Sequence, residues 1–234
     1  MESSPYTEPP KFKTGTFALL FGQSQSGKST WLKNVLLEHK YHFETHIKKL
    51  VYVYQHKDND NLPILMETFK KFGTFRTDLP CNIEDELIEN HSILILDDLE
   101  LMMKCKEKRR VLQRLSMETV HHKKIYVFFS FQTYGVFYKK SPLNDILYQA
   151  TNLLLFRSLN NNTKSLKSIL NAYQIKLKRA VQLYDLYIDF VMPNQYNYLM
   201  INLYPKLKHA EVYGHILYSD CEPMLIFHEE NEVV

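Results

Sequence analysis

Apolar residues recur along the chain in two periods, and the switches between them mark out its elements. Residues 16–21, TFALLF, are an unbroken apolar run ending at Gly22, the pattern of a strand buried on both faces. Past the following loop, Trp31, Leu32, Val35 and Leu36 return at one-turn spacing and predict a helix to about His39. KLVYVYQ (49–55) alternates and is rich in Val and Tyr, which reads as a second strand. After the polar loop HKDNDNLP, PILMETFKKF (63–72) predicts a short helix, and SILILDDLE (92–100) a third strand running into two carboxylates. A helix around 106–119 turns Val111, Leu112 and Leu115 inward. KKIYVFFSFQ (123–132) and NLLLFR (152–157) follow as fourth and fifth strands. From Thr163, apolar positions 166, 169, 170, 173, 177, 181 and 184 predict a long amphipathic helix. YNYLMINLY, EVYGHILY and PMLIFH, within 196–228, read as short strands forming hairpins or an edge extension.

Strands alternating with helices over the first 160 residues imply an α/β fold with a mainly parallel, helix-flanked sheet. The expected division is a flexible lead-in over 1–14, a core over 15–190 and a C-terminal β-rich extension over 191–234 packed on that core.

Composition narrows the class without changing this picture. The 234 residues are 45% hydrophobic and 24% charged, ordinary for a soluble globular protein with one substantial core. A net charge of +3 permits a nucleic-acid partner and does not argue for one. Cys81, Cys105 and Cys221 form no CxxC pair, so neither a disulfide framework nor a zinc site is indicated, and a reducing intracellular compartment is expected. The polar start MESSPYTEPPKFKTG is not a signal peptide, and no apolar run reaches bilayer-spanning length. A soluble protein with no membrane partner is expected.

The chemistry begins at GQSQSGKS, Gly22 to Ser29, which satisfies G-x-x-x-x-G-K-[ST] between a predicted strand and a predicted helix. Gly22 and Gly27 let the backbone curl so that the amides of Gln23, Ser24, Gln25 and Ser26 form an anion nest. The helix N-terminus, from Lys28 through Ser29 and Thr30, adds free N–H donors. Lys28 is expected to reach the β- and γ-phosphates of ATP and Ser29 to ligate Mg²⁺. The strand ending in Asp97-Asp98 is the expected partner. Asp97 holds Mg²⁺, while Asp98 orients or deprotonates the attacking water. A second carboxylate favours water over a small-molecule hydroxyl as nucleophile, hence a hydrolase over a kinase. One strand (49–55) falls between these two motifs in sequence and another (123–131) follows. That order fits the P-loop NTPases with a strand inserted between the Walker A and Walker B strands, where the next strand ends in a γ-phosphate sensor. Gln132 stands at that place.

At this point the chain resembles the FtsK/HerA-type packaging ATPases of large eukaryotic DNA viruses and virus-like transposons, the poxvirus-type family. The resemblance rests on FGQSQSGKS, ILILDDL, His121-His122, YVFFSFQTYGVFYK and NLLLFRS. It implies a homo-oligomeric ring that moves double-stranded DNA, with capsid protein as a further partner, in the host cytoplasm or nucleus. Where the family places Asn after the Gln, this chain has Thr133. Where the family carries an arginine finger before the fifth strand, only Lys139 and Lys140 stand, and Arg157 is the substitute candidate. His121-His122 with Lys123 and Lys124 read equally as a solvated loop or a phosphate or DNA contact, while the basic run Lys104 to Arg114, interleaved with Glu107, reads as a helix's exposed face or subunit contact before a DNA track. A nucleotide or small-molecule kinase and a nucleotide-switched protein-binding module are the alternative functions.

Overall fold

A computed structural model describes residues 11–55, 59–83, 88–132, 144–157, 166, 170, 177–194, 197–203, 213–217 and 223–227. Among the described residues nine strands form one sheet: β1 Phe17–Phe21, β2 Lys49–Tyr54, β3 Gly73–Arg76, β4 Ser92–Asp97, β5 Tyr126–Phe131, β6 Asn152–Phe156, β7 Tyr198–Asn202, β8 Tyr213–Leu217 and β9 Pro223–Phe227. Their order is β3-β2-β4-β5-β1-β6-β7-β8-β9. Pairing is parallel from β3 to β6 and antiparallel from β6 onward. The C-terminal strands therefore extend the same sheet past β6.

The inserted strand between β1 and β4 is β5, the one that carries Gln132 at its end. In the chain, two strands separate β1 from β4, because β3 (GTFR) adds an outer edge beside β2. Its four half-buried or exposed residues lack the apolar run that would announce a strand. The strand expected over 92–100 stops at Asp97, because Asp98 takes a left-handed backbone (φ 53°, ψ 39°) and a 3₁₀ turn, Leu99–Lys104, begins.

Every central strand is buried on both faces, and side-chain parity sorts the core into two layers. Ala18, Leu20, Tyr52, Ile95, Tyr126, Phe128, Phe156 and Tyr198 meet helices α1 (Lys28–Leu37) and α2 (Leu62–Thr68). Phe17, Leu19, Phe21, Val53, Leu96, Phe129 and Leu155 meet α3 (Lys106–Arg114), its π-helical continuation Leu115–Thr119, and α4 (Leu177–Leu186). Trp31 of α1 packs edge-on against Tyr198 and Phe156, and its indole N–H donates to Tyr198 Oη at 2.7 Å.

Two expectations change. Phe12, inside the stretch expected as lead-in, is buried against Trp31, Phe43 and Phe128, and its N–H donates to His42 O at 2.7 Å. Of the helix expected from Thr163, Leu166 and Leu170 are buried and Tyr184 packs against the core, positions 169 and 173 lie outside the described residues, and Val181 departs from the stripe. Ala180, Leu183, Tyr187 and Val191 are buried, while Val181 is 48% exposed. These run at i, i+3, i+7 and i+11, and the π-helical turn Tyr187–Val191 continues the stripe. No helix among the described residues is long and apolar enough to cross a membrane.

Candidate functional site

Because β4, β5, β1 and β6 are parallel, their C-terminal ends open on one edge of the sheet, where α/β folds place their ligands. The glycine loop leaves β1 at this edge and is tied to both neighbouring strands. Gly22 N–H donates to Phe131 O at 3.1 Å, and Gln23 N–H to Arg157 O at 3.3 Å. A Cβ on Gly22 would stand 2.5 Å from Ser26 Oγ and 2.6 Å from Phe156 Cβ, so only glycine fits there. Gln25 (φ 63°) and Gly27 (φ 94°) turn the backbone left-handed, which points loop amides inward. Helix α1 starts on Gly27 with no side-chain cap and no acid in its first turn, leaving its N-terminal donors and positive dipole end for an anion. Ser24 and Gln25 are exposed, Ser29 and Thr30 half-buried on the first turn of α1.

Lys28 is buried at 4% exposure, and Nζ donates to Gly22 O at 2.5 Å and Gln23 O at 3.0 Å. Burial lowers its pKa, against the opposing pull of Asp98, Asp97 and Glu100. Two further polar atoms beside the loop, Ser26 Oγ and Arg157 Nε, are buried with no hydrogen-bond partner.

Facing the lysine are the carboxylates at the end of β4. Asp97 is 5% exposed and accepts from Ser130 Oγ at 2.7 Å, Tyr52 Oη at 2.9 Å and Asn59 Nδ2 at 3.3 Å. Burial and then Asp98 raise its pKa, while Ser130, Tyr52 and Lys28 pull it back. Tyr52, in turn, is held protonated by burial and by Asp97. The carboxylate oxygens of Asp97 are hard donors of the kind a divalent ion such as Mg²⁺ would take, and such a cation would favour their ionised form.

Asp98 differs from Asp97 in backbone and partners. Its N–H donates to Ser130 Oγ at 2.9 Å, its Oδ1 lies 3.2 Å from the same hydroxyl, and its Oδ2 accepts from Gln132 Nε2 at 3.0 Å. Gln132 N–H donates to Glu100 Oε1 at 2.5 Å. The structure thus brings Lys28, Asp97, Asp98 and Gln132 to one edge. It puts Arg157 beside the loop of its own chain, while Thr133, Lys139 and Lys140 lie outside the described residues.

Sequence reasoning missed Ser130, Tyr52, Asn59 and Glu100. For Ser130 there was a signal: it is the one small polar side chain in the run YVFFSF, at a position that shares parity with Tyr126 and Phe128. Of the basic run, Lys108 pairs with Asp78 at 2.9 Å and also donates to Leu79 O. Arg109 donates to Met103 O at 2.8 Å, and Arg114 to Cys81 O at 3.1 Å. These three bind the structure itself, whereas Lys104, Lys106, Arg110, His121 and His122 are exposed.

The chain matches no described family model and no curated protein sequence. Its fold is similar to that of the genome packaging NTPase B204 from Sulfolobus turreted icosahedral virus 2, solved in complex with sulfate. That likeness has a TM-score of 0.54 at 15% identity over 87% of this chain and 97% of that one. The cytoplasmic domain of the Thermomonospora curvata Type VII secretion ATPase EccC aligns with TM-score 0.46 at 12% identity, over 80% of this chain and 24% of that one. At 15% identity the likeness to B204 shows the fold alone, which in this chain is an α/β, mainly parallel, helix-flanked sheet with antiparallel strands at its C-terminal side.

Proposed function

We propose that the chain is a Mg²⁺-dependent ATPase that works as a homo-oligomeric ring and moves double-stranded DNA into a capsid. The observation that carries the hydrolytic part is the carboxylate pair. Asp97 and Asp98 share the Ser130 hydroxyl yet differ in backbone and partners, and the negative charge of both favours the protonated Lys28 ammonium. Loop amides and Lys28 bind the β- and γ-phosphates. Ser29 and Asp97 hold Mg²⁺, which supplies neutralising charge on the phosphate oxygens when bound. Asp98, held at its Oδ2 by Gln132, orients the attacking water and takes its proton. Gln132 links that carboxylate to the γ-phosphate position. Arg157, whose backbone carbonyl accepts from Gln23 N–H beside the loop, remains the candidate for the positive charge on the phosphates that a finger would supply.

The motor part is supported by the fold shared with B204 along nearly the whole of both chains, together with the sequence resemblance through His121-His122 and the Gln132 strand. The exposed basic side chains of Lys104, Lys106 and Arg110 provide the charge a phosphate backbone requires.

The deciding experiment is the ATPase rate with and without double-stranded DNA, on protein whose solution mass is known. Stimulation that weakens steeply with salt, in an oligomer, is the expected result. Lys28→Ala is expected to weaken ATP binding by about 10²-fold or more. Asp98→Asn binds nucleotide and loses turnover; full hydrolysis in that variant would remove Asp98 as the base. A monomer indifferent to DNA sinks the motor, and phosphoryl transfer to a nucleoside installs the kinase in its place.

A further inference from the structure

Past Leu96 and Phe129, the two central strands are joined by side chains. The β4–β5 register runs from Ile93↔Tyr126 to Leu96↔Phe129. Next comes Ser130, bridging the two aspartates. One step further, Glu100 Oε1 accepts the backbone N–H of Gln132, the first residue after β5. A carboxylate accepting from a backbone amide is among the stronger hydrogen bonds. It fixes the peptide plane at residue 132 and therefore the direction in which that side chain leaves the backbone. The side chain then reaches Asp98 Oδ2 at 3.0 Å.

Glu100 itself projects from the 3₁₀ turn Leu99–Lys104, whose far end is held by the Arg109 guanidinium on the carbonyls of Met103 and Lys104. The turn and the strand end are thus two anchored pieces, joined by this contact and by those of Asp98 with Ser130 and the Gln132 side chain. Its charge also supports the protonated form of Lys28, ranking after Asp98 and Asp97.

We propose that Glu100 is a positioning residue for hydrolysis: by holding the Gln132 amide it aims the Gln132 side chain at Asp98 and sets the orientation of the base. The assignment rests on the ATPase reading of the site. It gives Glu100 no contact with the reacting atoms, and its influence passes through Gln132.

The test compares Glu100→Ala and Glu100→Gln, each alone and combined with Gln132→Ala, measuring kcat and KM for ATP and the amide ¹H shift of Gln132 by NMR. Glu100→Ala is expected to lower kcat about 10- to 100-fold with KM within about threefold. Glu100→Gln keeps an acceptor in the same place and recovers most of that loss. On the Gln132→Ala background, Glu100→Ala adds less than about threefold, because the side chain it aims is gone. The Gln132 amide moves upfield in Glu100→Ala and less in Glu100→Gln, with or without turnover.

A wild-type kcat in Glu100→Ala overturns the proposal, and so does an equal loss on both backgrounds, the mark of a merely structural role. Glu100→Gln falling as far as Glu100→Ala, with a changed KM, assigns Glu100 to the Lys28 charge and equally overturns it. An unmoved Gln132 amide removes the contact. If the amide reports the bond but wild-type protein does not hydrolyse ATP, the ATPase reading has failed and takes the kinetic role with it.

Discussion

Removing one hydroxyl, by Ser130→Ala, tests the carboxylate network without touching either aspartate. Ser130 is fully buried; its Oγ serves both carboxylates, at 2.7 Å and 3.2 Å, and accepts the Asp98 N–H at 2.9 Å. The variant loses a hydrogen bond to a charged group, worth about 1.5–3 kcal/mol, and leaves a part-buried amide unpaired at about 1–3 kcal/mol. These terms share one atom and do not add fully, so about 2–4 kcal/mol is expected. For a chain of this length that is a fall in Tm of about 4–16 °C.

The loss carries a pH signature. Burial and Asp98 hold the Asp97 carboxyl above the ordinary carboxylate value, and the Ser130 bond pulls it down. A carboxyl raised in the folded state confers stability that is full below its unfolded pKa and is lost as pH rises through its folded pKa. Ser130→Ala raises the folded value further and deepens that loss. The gap between variant and wild type is therefore widest at neutral pH. On acidification below the Asp97 value it narrows to the share owed to the Asp98 amide. Urea unfolding followed by the fluorescence of the single tryptophan, the buried Trp31, measures both. A gap under about 0.5 kcal/mol at neutral pH, or one constant with pH, would show that the hydroxyl does not hold the carboxylates as described.

Gly22→Ala drives a methyl into Phe156 Cβ and Ser26 Oγ. Since the Phe156 contact cannot rotate away, about 1–3 kcal/mol of stability is lost, checked by thermal unfolding, and nucleotide affinity in titration calorimetry falls with it. Tyr198→Phe leaves the buried Trp31 indole N–H without its partner, which is expected to cost about 1–3 kcal/mol and to shift Trp31 emission. An unchanged spectrum and Tm would show that the bond is not maintained in solution.

The parts of the fold legible in the sequence are those whose residues are buried on both sides. FALLF, SILILD and YVFFSF announce themselves because water is excluded from both faces, so nearly every position is apolar and the buried polar ones, Ser92, Asp97 and Ser130, are each hydrogen-bonded. GTFR did not, since an edge strand needs no apolar run. Local pattern also places the glycine loop and Asp97-Asp98, because their chemistry depends on neighbours in the chain. Tyr52 and Asn59 meet Asp97 only through strand order, and no local spacing encodes which strands become neighbours. Glu100 was hidden for another reason. It was read as the tail of a strand, when the left-handed Asp98 turns the chain and sends Glu100 back toward Gln132.

The position of β1 in the middle of the sheet has a consequence for biosynthesis. One neighbour is β5 and the other β6, and the Phe17 amide bonds to Thr151 Oγ1 across 134 positions of chain. At about 5–20 residues per second, FALLF waits on the order of ten seconds on the ribosome before either flank exists. The glycine loop borrows its anchors from Phe131 and Arg157, so it closes among the last parts of the core, and long-range closure of this kind is slow. A nascent chain of this protein is expected to shelter that first strand, in the ribosome's vicinity or on a holdase, until its distant partners emerge.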